Sequence, residues 1–146
     1  MANLPSGLPE HVANNENLSR FLTQSGQFNS TMAKPAAFMP HPEHRNASVF
    51  RIPNDPARLT QAWMDTSDGT RALKAVAFCT AADVRNAGLD VIASEPPPAH
   101  ANIAGWPWLD DPDLQKASQK EHASRIAEAT SILKLEILAT PKEEEI

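Results

Sequence analysis

Residues 75–93 read Ala75-Val76-Ala77-Phe78-Cys79-Thr80-Ala81-Ala82-Asp83-Val84-Arg85-Asn86-Ala87-Gly88-Leu89-Asp90-Val91-Ile92-Ala93, and their punctuation marks out a strand, a short helix and a second strand. Ala75–Cys79 is an apolar run of strand length. Thr80 is a natural helix N-cap, with Asp83 in the capping-box position three residues on, where Asp is a weaker match than Glu. Ala81–Ala87 forms the helix, Gly88 supplies the left-handed residue that ends it, and Leu89–Ala93 returns as a strand. The alternative is one continuous helix from Arg71 to Ala87, because alanine is abundant and the apolar run is ambiguous. The helix is short for a parallel crossover, so the two strands need not be neighbours or parallel.

Upstream, Ser48-Val49-Phe50-Arg51-Ile52 is a strand bounded by Asn46 and Pro53. Pro56–Asp65 is a helix with Asp55 as cap, Pro56 at its first position and Leu59, Ala62 and Trp63 inward. Asn17 caps a short helix that puts Leu18, Phe21 and Leu22 on one face and stops near Gly26. Phe28–Pro42 is punctuated by proline and makes neither a long helix nor a central strand. Residues 1–16 form a flexible arm without the basic start and apolar run of a secretory signal.

Downstream, Glu95-Pro96-Pro97-Pro98 is a polyproline-like spacer. It delivers His100–Ile103, an edge strand or an ordered loop, and then Gly105-Trp106-Pro107-Trp108. A long helix runs from about Pro112 to Leu138, capped by Asp111 or Asp113. Leu114, Ala117, Ile126, Ala129, Leu133 and Ile137 form its apolar stripe, and Glu121 pairs with Arg125. Residues 141–146 are an acidic tail. The expected fold is therefore a small α+β domain over residues 17–140. It comprises a few-stranded sheet (strands at Ser48, Ala75 and Leu89, extended by His100), a long C-terminal helix across it, and proline-rich irregular arms.

Composition narrows the function classes. The 146 residues suffice for one domain, and 41% hydrophobic with 21% charged residues is the profile of a packed core. Thirteen prolines against five glycines exclude a simple helical bundle and a glycine-rich dinucleotide fingerprint. A net charge of −5 argues against bulk electrostatic binding of nucleic acid. Cys79 is the only cysteine, which fits a reducing, cytoplasmic setting, and its apolar surroundings suit an inert thiol rather than a nucleophile. No segment approaches the roughly 18–20 apolar residues of a membrane span. Charge is uneven: seven basic residues face four acidic ones between Arg20 and Lys74, against five and ten from Glu95 onward.

Two constellations carry chemistry. In an extended His100-Ala101-Asn102, the imidazole and the amide share a face, positioned to move a proton and to orient a phosphate or carbonyl oxygen. Arg51 shares a face with Val49 and needs an anionic partner, either an acidic side chain or a ligand. With Lys34 it makes a set of cations for metal-free phosphoryl transfer. Trp106 and Trp108 alternate around Pro107, so one ring is buried while the other serves as a docking anchor, unless both pack on the C-terminal helix. His41-Pro42-Glu43-His44 has two imidazoles three apart, but the flanking prolines favour a solvated loop over a metal centre. No cofactor and no metal are implied.

Two functions follow. The favoured one is an interaction module or accessory subunit, docking a protein partner through the Pro/Trp-rich surface and the C-terminal helix. The alternative is a small metal-independent enzyme on RNA or a nucleotide, with His100 as general acid/base, Asn102 orienting the substrate and Arg51 and Lys34 binding phosphate. The stripe at Leu114, Ile126 and Leu133 also suits a homodimer.

Overall fold

The computed structural model describes residues 3–140. Its fold is α+β, built on one six-stranded sheet: β1 Asn17–Leu22, β2 Ala47–Phe50, β3 Ala75–Thr80, β4 Asp90–Ala93, β5 His100–Ala104 and β6 Ser131–Leu133. The strands lie in the order β4-β5-β2-β1-β3-β6, and all neighbours are antiparallel. The α-helices are α1 Pro56–Thr66, α2 Ala81–Asn86 and α3 Pro112–Glu128. No helix among the described residues is long and apolar enough to cross a membrane.

Each face of the sheet buries its own core. On one face Leu18, Leu22, Val49, Ala77 and Ile103 pack with Val84 of α2 and Ala123 and Ile126 of α3. On the other, Phe50, Val76 and Phe78 meet Leu59 and Trp63 of α1. Both the sequence of β3 and its burial on both faces follow from its position between β1 and β6. Thr80 and Asp83 form the expected reciprocal cap of α2, each side chain accepting from the other's backbone N–H. Gly88 then turns the chain at φ +88°, a left-handed conformation that favours glycine, and a Cβ there would stand 3.1 Å from the His122 ring, which would have to shift slightly. Asp55 caps α1 ahead of Pro56, and Asp111 caps α3 ahead of Pro112.

Several expectations are corrected. Asn17–Leu22 is a strand, not a helix: all of it registers against β3, from Asn17 opposite Thr80 to Leu22 opposite Ala75. A central strand buries residues on both faces, and Leu18, Phe21 and Leu22 on opposite faces imitate a helical spacing. The last helix ends at Glu128 and does not reach Leu138. There Thr130 donates its hydroxyl to Ala127 O and accepts from Ala33 N, and the chain leaves to bond β3 as the edge strand β6. The proposed stripe is therefore not one helix face: Leu114 is 62% exposed, Ile126 is buried and Leu133 sits on β6. The buried side of α3 is Gln119, Ala123, Ile126 and Ala127. Glu121 and Arg125 do pair, at 2.9 Å on the exposed side.

His100–Ala104 is an interior strand between β4 and β2, not an edge. The proline segment before it is a hairpin connection and not an extended spacer, because β4 and β5 are antiparallel neighbours whose ends must meet. It is closed by Ser94 N to His100 O at 2.9 Å and His100 N to Pro97 O at 3.1 Å. The sheet gains two strands, β1 and β6, over those expected.

Residues 3–16, read from the sequence as an arm, are tied to the domain. Val12 is 1% exposed, and the backbone carbonyls of Asn14 and Glu16 accept from Ala82 and Ala81. The Glu16 carboxylate receives Arg51 Nε at 2.7 Å and Nη2 at 2.9 Å, while Nη1 donates to Pro9 O at 2.7 Å. The acidic tail at 141–146 lies outside the described residues.

Burial alone would raise the Glu16 carboxyl, but the Arg51 and Ala13 hydrogen bonds, with attraction from Arg51 and His11, hold it below its ordinary 4.5. Its folded pKa lies below the unfolded one, so this stabilisation is complete above pH 4.5 and is lost as pH falls through the folded value. Glu16→Gln should cost about 1–3 kcal/mol near neutral pH, below the full cost of breaking a buried pair because Glu16 still touches water. Urea unfolding across the acid range should then show a flatter pH dependence for the variant than for the parent.

Candidate functional site

Cross-strand pairing assembles the face that carries His100. Phe50 stands opposite His100, and Ser48 stands opposite Asn102, which in turn faces Ile92 on β4. Alternation along β5 buries Ala101 and Ile103 on the other face and leaves His100, Asn102 and Ala104 half-buried on this one. The shared face of His100 and Asn102 is thus present. α1 covers only the part of this face around Phe50 and Val76; Ser48 is exposed and Ile92 is 51% exposed.

His100 is held by its own hairpin. Nδ1 lies 2.9 Å from Ser94 O, which assigns the proton to Nδ1 and leaves the Nε2 lone pair free. The ring meets Phe50 edge-on at 5.4 Å. Burial lowers its pKa below 6.5, the Ser94 carbonyl opposes that shift, and the positive charge of Arg20 adds to it, so the imidazole is neutral at neutral pH.

Other residues singled out by the sequence stand elsewhere. Arg51 is 4% exposed, and its guanidinium is occupied by Glu16 and Pro9; of the two anionic partners foreseen, the acidic side chain is the one present. Lys34 is exposed on the loop preceding the 3-10 turn Pro35–Ala37. Among the described residues no hydrogen bond or ion pair joins His100 to Arg51, Lys34 or the Asn102 side chain. Trp106 is 4% exposed and donates Nε1–H to Ile103 O at 2.9 Å. Trp108 is half-buried against the α3-side core, with the Arg45 guanidinium 4.8 Å over its ring.

A groove opens beside His100, a feature with no sequence signal because its walls come from three distant segments. It encloses about 370 Å3 between α1 and the proline hairpin. Phe50 and Ile52 line it together with Ala62, Pro97, Pro98 and Ala99. Arg58, Gln61 and Asp65 of α1 add its polar side, Gln61 being bonded to Asp65 at 2.8 Å. Arg58 forms no ion pair among the described residues.

One cluster has the donor set for a metal. The ligating atoms of His41, Glu43 and His44 lie within 4.8 Å of one another, all on exposed side chains. His41 Nδ1, however, already accepts the backbone N–H groups of Glu43 and His44 at 3.1 and 3.3 Å. That imidazole organises its own loop, and with Nδ1 accepting, Nε2 carries the ring proton and offers no lone pair to an ion. No protein-family model, curated protein or solved structure matches this chain.

Cys79 is buried, and burial, with the nearby Asp83 charge, pushes its thiol up to about 12. It should therefore resist iodoacetamide at about pH 8 in the folded protein and react fully once unfolded in urea. Stoichiometric labelling of the folded chain would contradict its placement in the core.

Proposed function

We propose that this chain is a non-catalytic protein-interaction module, an accessory subunit of a larger complex, and that the groove between α1 and the proline hairpin receives an apolar side chain of its partner. The observation that carries this reading is the groove itself, with Phe50, Ile52, Pro97 and Pro98 forming an apolar lining beside the polar side chains of α1. Binding sites typically combine an apolar pocket with a few placed polar groups, and a side chain buried in such a pocket is the usual energetic anchor of an interface. The groove takes over the docking role foreseen for the tryptophans, because Trp106 is spent on the core and Trp108 lies under Arg45.

The enzyme reading draws less support. Of the two cations foreseen as phosphate ligands, Arg51 is neutralised by Glu16, and among the described residues no hydrogen bond joins Lys34 to His100. A cytoplasmic setting is part of the proposal and rests on the lone reduced cysteine.

The test is gentle purification of the tagged protein from its native host, followed by mass determination of the complex. Ala62→Trp, which fills the groove, and Arg58→Glu, on its polar side, should each release a stoichiometric partner while thermal unfolding stays close to the parent's. Loss of an interface anchor of about 2 kcal/mol corresponds to roughly thirtyfold weaker association. A partner retained by both variants would overturn the assignment of the groove.

A further inference from the structure

We propose that a second cavity, formed where β1 and β2 part, binds an oxyanion, phosphate or carboxylate, carried by a small molecule, with Arg20 as its principal ligand. β1 and β2 meet at a single register position, Ser19 opposite Phe50. Beyond it the Arg20 guanidinium occupies the gap, donating from Nε to Ala37 O at 2.9 Å and from Nη1 to Ser48 O at 2.7 Å. Two main-chain carbonyls thus fix its plane, and three of its five N–H groups remain uncommitted.

Arg20 forms no ion pair among the described residues, where the pairs are Arg51–Glu16, Arg85–Asp90 and Arg125–Glu121. Its burial depresses its pKa with no opposing contribution from a carboxylate. Arg20 is half-buried and lines the cavity with no counter-charge of its own, so an oxyanion entering the cavity meets its remaining fork bidentately. The cavity in front of it is about 350 Å3, at the small end of small-molecule sites and too small for a macromolecular surface.

The other lining groups suit the same ligand. The Asn46 amide and the Ser48 hydroxyl make no hydrogen bond within the described chain, and His41 and His44 line the cavity with ring nitrogens able to donate. The neighbouring carboxylate, Glu43, clusters with the two imidazoles but is not part of the lining and forms no ion pair with Arg20. The site is separate from the groove beside α1 and stands whether or not that groove binds a partner.

The experiment is an 1H–15N NMR titration of the full chain with inorganic phosphate and, separately, with sodium acetate, ionic strength being held constant with sodium chloride. Saturable shifts of the Arg20 Nε–H and the Asn46 side-chain NH2 are expected with at least one anion. Response to phosphate alone assigns a phosphate-bearing ligand, and response to acetate alone a carboxylate. Arg20→Lys keeps the charge but loses the fork, and should weaken binding about tenfold or more. Because Arg20 also supports the sheet, the double variant Asn46→Ala/Ser48→Ala, which removes no internal bond, gives an independent reading and should weaken binding by a similar factor. Shifts that grow linearly without saturation for both anions, or undiminished affinity in the double variant, would overturn the proposal.

Discussion

Strand β1 sits in the middle of the sheet, fully registered with β3 on one side and meeting β2 at one position on the other. Its side chains must therefore serve two packed layers: Leu18 and Leu22 point into the core beneath α2 and α3, and Phe21 points toward Trp63 of α1. Ser19, buried between them, spends its hydroxyl on Phe50 O. The remaining architecture follows from this placement. β2 and β5 extend the sheet one way, β3 and β6 the other, and each helix closes a face that β1 alone could not keep dry.

The same strand explains the unusual chemistry of the molecule. The Glu16 carboxylate just ahead of β1 takes the buried Arg51 beyond the end of β2, so that charge is closed within the fold. Arg20, four residues later, has no such partner and holds the parted strands through main-chain carbonyls instead. Two arginines at the β1–β2 junction thus have opposite roles, and the difference lies in whether a carboxylate reaches them.

Much of the local structure was legible. Thr80 with Asp83, Asp55 before Pro56, and Asp111 before Pro112 are caps whose hydrogen bonds are local, so a short window of sequence contains the whole cause. The strands at Val49, Phe78 and Val91 carried their own β-branched or aromatic signal. β1 and β6 did not, because their strand state comes from β3, which lies far away in the chain. A six-residue strand with both faces buried has no alternation to display, and Ser131–Leu133 is too short for any period to emerge. At the site, the pairing of His100 with Asn102 on one face was legible from alternation, as was the need of Arg51 for an anionic partner. The groove and the Arg20 cavity were not, since each is walled by segments that only the sheet order brings together.

Residue-resolved hydrogen exchange on the native chain tests the central role of β1 most directly. The hydrogen-bonded amides of 17–22 should exchange with those of 75–80 as the slowest set, opening only with global unfolding, while 131–133 at the sheet edge exchange sooner. Rapid exchange throughout 17–22, with 75–80 still protected, would contradict a sheet organised around this strand.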